Sequence, residues 1–360
     1  PEVNLIVDNL TGGSDTSLDI RNGDFVSFPN AEVNLTVLDS DTNLTDAGDI
    51  NIDMQVNTID LDTGAANGSV VSIADLNSGN TFLNIATENA LVIGDPDGDA
   101  GLTGPIGSRE ITGFENPLSA ATTQIDASAS TNGVNASARN ASGNVTFQGG
   151  SGNDMFEGGQ GTNDTLFGND GADIIDGHTG NDSIDGGAGR DVLLGNAGND
   201  TILGQDGNDV IDGGDGSDTL IDGSGQDTFN GGNGDDFIWA TSDQFAAVDG
   251  GDGFDELMLD GGINLDMTDP GTGPVSGIEQ IDLGQSDGSS TLTLDSAELI
   301  ELTDEDNTLI VQGDEQDTLN IGSESWVEGA SVVRGGVTYS EYSLNDATLL
   351  VQDGINVEVS

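Results

Sequence analysis

Cysteine is absent from these 360 residues, and so is lysine. The first absence removes a disulfide framework and any thiolate metal site, so a chain this long needs another kind of staple. The second leaves only Arg21, Arg109, Arg139, Arg190 and Arg334 to set against 66 acidic residues, a formal net charge of −61. Nucleic acids and anionic lipid surfaces are gripped through basic patches, so neither nucleic acid nor direct membrane insertion is expected. Divalent cations are the natural counter-charge. Histidine is nearly absent as well: His178 stands alone, which excludes the H-E-x-x-H signature of a zinc protease. No apolar run approaches the roughly 18 residues of a membrane span. The chain opens at Pro1 with neither a start methionine nor a signal-peptide pattern. It is therefore expected to be a processed product or a fragment, with any export signal elsewhere.

What is abundant is glycine, at 56 residues, and aspartate in phase with it. Acidic, glycine-rich composition is also the mark of disorder, but here the apolar residues are regularly spaced. From Gly149 the chain falls into a nine-residue period. GGSGNDMFE (149–157) is followed by GGQGTNDTLF (158–167), one residue long. Then come GNDGADIID, GHTGNDSID, GGAGRDVLL, GNAGNDTIL, GQDGNDVID, GGDGSDTLI, DGSGQDTFN and GGNGDDFIW, ending at residue 239. After ten inserted residues, GGDGFDELM (250–258) looks like one more copy.

Each unit reads as a six-residue turn and a three-residue strand, so two units make one coil of a flattened solenoid. The sixth residues then form two rows, Asp154, Asp173, Asp191, Asp209 and Asp227 on one side and Asp164, Asp182, Asp200, Asp218 and Asp236 on the other. The eighth residues form matching inward rows: Phe156, Ile175, Leu193, Ile211 and Phe229, and Leu166, Ile184, Ile202, Leu220 and Ile238. Coils in such a stack lie about 4.8 Å apart. Two carboxylates at that spacing repel by roughly 0.9 kcal/mol in water and about 3.5 at an effective dielectric of 20. A cation between coils removes the repulsion. Calcium accepts six to eight oxygens, mixing carboxylates and backbone carbonyls, whereas zinc wants His or Cys and magnesium a tight octahedron. With only two apolar side chains per coil, burial does not offset the roughly 1–2 kcal/mol per residue of backbone ordering. The roll is therefore expected to fold on binding calcium.

With these residues in view, the chain resembles the RTX (repeats-in-toxin) calcium-binding family. Its run GGDGFDELML…SGIEQIDL…NTLIVQG…GVTYSEY…ATLLV is similar to the C-terminal region of large RTX adhesins. The resemblance implies an all-β fold with a parallel β-roll in the middle, and export by a type I secretion machinery through an uncleaved C-terminal signal. It also implies that calcium is held by the ten sixth-position aspartates, and by Asp255 in the last copy. Carbonyls of the turn glycines Gly149, Gly158, Gly168, Gly177, Gly186, Gly195, Gly204 and Gly213 join them, as do the third-position aspartates Asp170, Asp206 and Asp215. The unit at Asp222 lacks its first glycine and 158–167 carries an extra residue, so the sites beside those two depart from the pattern.

The flanks are β-rich. VNLIV (3–7), AEVNLTVL (31–38), INIDMQVNTIDL (50–61), GSVVSIADL (68–76) and NALVIG (89–94) are strand-like runs broken by Gly, Asn and Asp. They point to an irregular β-solenoid or a sandwich over residues 1–121. Residues 122–258 form the roll with its lead-in. Residues 259–360 form a β-rich cap with the secretion signal and one short helix near 295–302. Trp326, Tyr339 and Tyr342 are expected to close the solenoid's open end. Two acidic loops, Asp95-x-Asp97-x-Asp99 and Asp39-x-Asp41-x-Asn43, lack the glycine and terminal glutamate of an EF-hand, having Ile106 and Ile50 at the twelfth place. They read as polar turns or as extra calcium sites.

No enzyme is expected. The one G-x-S-x-G match, Gly284–Gly288, sits in a polar loop with no histidine near it in sequence. His178 occupies the second position of a repeat turn and reads as a surface turn residue. The expected role is structural and adhesive, at a cell surface or in a biofilm matrix, with calcium ions, the secretion machinery, and surface glycans or further copies of the chain as partners. The alternatives are a self-assembling surface-layer protein, or a secreted hydrolase or lectin with its site in residues 1–120.

Overall fold

In the computed structural model, ten strands are described by their backbone between residues 2 and 112. Residues 123–359 are described apart from 129–132, 140, 142, 243, 260–261, 270–271, 285–287 and 304–306. The chain divides into two compact units, residues 1–202 and 203–360.

In the first unit, strands alternate between two parallel sheets. One runs Glu2–Asp8, Glu32–Leu38, Thr58–Asp62, Thr81–Ala86, Thr123–Asp126, Val145–Gln148, Thr165–Asp170 and Ser183–Gly189, each paired in parallel with the next. The other runs Leu18–Arg21, Asp49–Asp53, Ser72–Ala74, Leu91–Ile93, Val134–Ser137, Met155–Glu157, Ile174–Asp176 and Val192–Ala197. Pairing each strand with the next but one is the signature of a solenoid, so the first 112 residues follow the solenoid pattern and not the sandwich one. The single run INIDMQVNTIDL supplies two strands, Asp49–Asp53 and Thr58–Asp62, one for each sheet. A short antiparallel hairpin, Gly101–Thr103 with Glu110–Thr112, interrupts the winding.

The eighth-position side chains fill the space between the sheets: Phe156, Leu166, Ile175, Ile184, Leu193 and Ile202 are fully buried. Where the roll begins, the core is thicker. Phe147 stacks on Phe156 with ring centroids 4.2 Å apart. Beside them the buried Glu157 accepts from Ser137 Oγ and Arg139 Nε, both at 2.6 Å, so this carboxylate is paired rather than stranded.

The second unit is wound in the same way. Val210–Asp215, Thr228–Asn233, Ala247–Asp252 and Val275–Ser276 form one parallel series. Thr219–Ser224, Phe237–Ala240, Glu256–Leu259, Gln280–Asp282, Thr308–Gln312 and Ala347–Gln352 form the other. Ile211, Leu220, Phe229, Ile238, Val248, Leu257, Ile281, Val311 and Leu349 are buried between them. A separate four-stranded parallel sheet holds Asn264–Asp266, Thr291–Thr293, Thr318–Asn320 and Asn356–Glu358. The helix is where the sequence places it, at Ser296–Leu302, with Asp295 and Glu298 forming a reciprocal capping box.

An antiparallel strand, Val337–Leu344, lies along Ala347–Gln352 and ends the parallel stacking. Tyr339 on that strand packs against Ile310 and Leu350, and its hydroxyl accepts from Gln312. Covering an edge in this way removes a template for further strand pairing.

Candidate metal centre

At the sixth position the backbone leaves the sheet ladder. The residue's carbonyl still accepts from the next coil, as in Ile174 N–H to Asp154 O at 2.9 Å. Its own N–H instead meets a side chain: Asp154 N–H donates to Asp173 Oδ1 at 2.6 Å, and Asp173 N–H to Asp191 Oδ1 at 2.8 Å. The other row repeats this with Asp164 on Asp182 and Asp182 on Asp200, both at 2.7 Å. In the second unit Asp209 donates to Asp227, Asp218 to Asp236, and Asp236 to Asp255. All eleven of these aspartates are buried, as expected of ladder members. In nine of them, Asp209 and Asp218 aside, Oδ1 accepts a backbone N–H, which leaves the question of Oδ2.

In Asp173, Asp182, Asp236 and Asp255, Oδ2 is buried and accepts no hydrogen bond; the same oxygen of Asp191, Asp200, Asp209 and Asp218 is buried too. A buried carboxylate oxygen without a donor costs on the order of 1–3 kcal/mol. The oxygen lies over the first glycine of its own turn. A Cβ built on Gly168 would run into both Asp173 Oδ2 and the carbonyl oxygen of Gly186 in the next coil, and the same pair recurs at Gly231 with Asp236 Oδ2 and Gly250 O. A side chain is thus excluded from a pocket lined by a bare carboxylate oxygen and a backbone carbonyl. Those are the hard oxygen donors calcium takes. Among the described residues no three acidic or histidine side chains converge by themselves, so a cation here must draw on carbonyls as well. The donor set fits the ion that the sequence implies.

The electrostatics agree. Burial, with repulsion from Asp154, Asp191 and Asp170, raises Asp173 to about 8. Burial, with repulsion from Asp164, Asp200 and Asp176, raises Asp182 to about 8. Asp236 and Asp255 rise to about 7, and Asp154, Asp191 and Asp227 to about 6, in each case mainly through burial. A row that holds its charge so poorly is one that a cation stabilises.

Three members of this arrangement are closed. Asp154 Oδ2 accepts from Gly150 N at 2.9 Å, and Asp164 Oδ2 from Gly159 N at 2.7 Å, with Thr162 Oγ1 also donating to Asp164 Oδ1. The extra residue of 158–167 thus leaves a turn that satisfies its own aspartate. The third, Asp317, is fully buried, takes Ser290 N–H on Oδ1 at 2.9 Å and Asp314 N–H on Oδ2 at 2.7 Å. Sequence reading missed Asp317, although Asp317-Thr318-Leu319 repeats the D-x-U core of a unit. It also missed Glu279, whose Oε2 accepts from Asp255 N at 3.0 Å as a further rung of the ladder. Asp222, standing where a first glycine belongs, is buried and accepts from Thr241 N at 2.9 Å.

The eight first-position glycines are all buried beside the rows. The third-position aspartates are not: Asp170, Asp206 and Asp215 are exposed, Asp206 accepting from Ser224 Oγ and Asp215 from Asn233 Nδ2. Asp170 is near enough to add to the repulsion at Asp173. His178 is a turn residue in the left-handed conformation, φ 80°. The loops at 39–43 and 95–99, and Ser286 of the G-x-S-x-G match, fall outside the described residues.

Winding, ladder and glycine pockets together define a calcium-binding parallel β-roll. Against protein-family models, residues 141–163, 160–193, 185–220 and 212–244 match the RTX calcium-binding nonapeptide repeat in four copies. This stretch, less than a third of the chain, carries the RTX calcium-binding repeat. Comparison with curated proteins and with solved structures gives no match.

Proposed function

We propose that this chain is an extracellular structural and adhesive protein whose β-roll orders on calcium after export by a type I secretion machinery. Its role is mechanical rather than catalytic: calcium converts a self-repelling acidic coil into a stiff module at a cell surface or in a matrix. The observation that carries this reading is the buried Oδ2 of Asp173, Asp236 and Asp255, which accepts no hydrogen bond and lies in each case over a first glycine beside a backbone carbonyl. Inside a cell, where calcium is scarce, such rows oppose folding and keep the chain in an exportable state. Outside, sites of about 10⁻⁴–10⁻³ M affinity fill, and folding is drawn forward by binding.

The test is a calcium titration from chelator to about 10 mM, beyond the affinity range of extracellular modules, followed by far-ultraviolet circular dichroism and light scattering. A cooperative gain of β signal near millimolar calcium is the expected result. Full β signal in chelator would overturn the folding switch. Scattering that rises with the β signal would replace the monomeric adhesive module with a self-assembling surface layer.

A further inference from the structure

The family match ends at residue 244, yet the ladder does not. Asp255, fully buried, takes Asp236 N–H on Oδ1 at 2.7 Å, and its Oδ2 is buried without a donor. The next strand of the opposite sheet, Val275–Ser276, is followed at once by Gly277, as the repeat strands other than those before Asp222 and Ala240 are followed by a first glycine. A Cβ on Gly250 would run into the carbonyl oxygen of Gly277 and come within 2.9 Å of Asp255 Oδ2. This is the same pocket seen at Gly168 and Gly231. The turn is cut short, with only Ile278 between Gly277 and the next ladder residue, and that residue is Glu279. Glutamate is one methylene longer than aspartate, and its Oε2 accepts from Asp255 N at 3.0 Å.

We infer that Asp255, the Gly277 carbonyl and Glu279 form one more calcium site, beyond the repeats, which ties the segment 275–282 to the last repeat coil. Asp317, at the entry to the separate four-stranded sheet, gives the contrast: its own turn satisfies its Oδ2 through Asp314 N–H. The inference rests on the calcium reading proposed above and extends it to residues that the nonapeptide pattern does not contain.

The experiment counts ions. The native chain, Asp255→Asn, Glu279→Gln and the exposed-site control Glu301→Gln are equilibrated with calcium and dialysed, and bound metal is measured by mass spectrometry. Both amide variants keep the oxygen that accepts the ladder N–H, so they preserve the hydrogen bond while removing the charge. D255N and E279Q are expected to hold one calcium fewer than the native chain, with E301Q unchanged. An unchanged count in a folded E279Q or D255N overturns the extra site while leaving the repeat sites standing; a native chain that binds no calcium overturns the calcium reading itself. Hydrogen exchange on the native chain needs no variant. Amides of 276–283, including the Gln280 N–H bonded to Asp255 O, are expected to gain protection with calcium, and no gain would sink the proposal.

Discussion

Two kinds of turn share one ladder in this molecule. In both, the sixth residue's side chain takes the N–H of the preceding coil on one oxygen. In the closed turns of Asp154, Asp164 and Asp317, the other oxygen takes the N–H of the residue just after the turn's first glycine, that is of Gly150, Gly159 and Asp314. In the open turns that second residue has swung into the left-handed region, as at Asn169 (φ 71°), His178 (φ 80°) and Gly232 (φ 110°). There Oδ2 of Asp173, Asp182 and Asp236 accepts no hydrogen bond, whereas the first glycine beside this oxygen and a backbone carbonyl is common to both kinds, at Gly149 and Gly158 as at Gly168 and Gly231. The difference teaches that neither the D-x-U strand nor the ladder decides whether that second oxygen finds a donor. One backbone rotation at the second residue does.

The largest expected effect follows directly. In chelator, amides of the open turns and their strands, 168–258, exchange at the rate of unfolded chain, whereas those around the closed turns, 145–165 and 308–320, keep protection. Hydrogen-exchange mass spectrometry with and without calcium reads this region by region. Equal loss in both sets would break the distinction between open and closed turns.

Next in size is the core beneath each kind. Ile184→Ala, under the open turn of Asp182, and Leu319→Ala, beside the closed Asp317, both delete a fully buried aliphatic group. Each costs about 2–5 kcal/mol. Under the open turn that loss must be made up by ligand, so I184A moves the calcium midpoint to higher concentration. L319A lowers the thermal midpoint at saturating calcium and leaves the calcium midpoint in place. Calcium titration and thermal melts of the two variants decide the matter.

A smaller, sharper contrast comes from neutralising the carboxylates alone. Asp173→Asn removes charge from an open site, and Asp317→Asn removes it from a closed one, each keeping an oxygen for the ladder. D173N is expected to lower the bound-calcium count while making the chelated chain easier to order, because a repelling charge has gone. D317N is expected to do neither. Isothermal titration calorimetry on both would show it.

How much of this was readable from residue order follows the same division. The inward rows and the aspartate rows were legible because period and chemistry coincide: Phe156 to Ile238 at every eighth place, Asp154 to Asp236 at every sixth. Glu279 was hidden because its turn lost three residues, so a nine-residue count steps over it. Asp317 was hidden because its turn lacks the fourth-position glycine. Residues 1–112 were legible as strands but not as coils, since a run such as INIDMQVNTIDL carries no mark of where one sheet hands over to the other. The open or closed state of a turn was not legible at all. Gly149-Gly150 and Gly231-Gly232 are the same dipeptide, and only tertiary context sets the second residue's backbone apart.

The gentlest probe is pH. Asp173 and Asp182 stand at about 8 in the folded chain, raised mainly by burial, against about 3.9 in an unfolded chain. An acid whose folded pKa is raised binds its proton more tightly in the folded state, so protonation favours folding. Without calcium, the penalty is full above about pH 8 and fades as pH falls towards about 4. Acidifying a chelated sample from pH 8 to pH 5 is therefore expected to increase β signal, the reverse of ordinary acid denaturation. With calcium present the sign changes, because proton and ion compete for the same oxygens: the calcium midpoint rises as pH falls through the range of about 8 to 6 where these aspartates titrate. Circular dichroism along a pH series, once in chelator and once at fixed calcium, would show two curves of opposite slope. Two curves of the same slope would mean that the buried oxygens of the open turns are not where calcium acts.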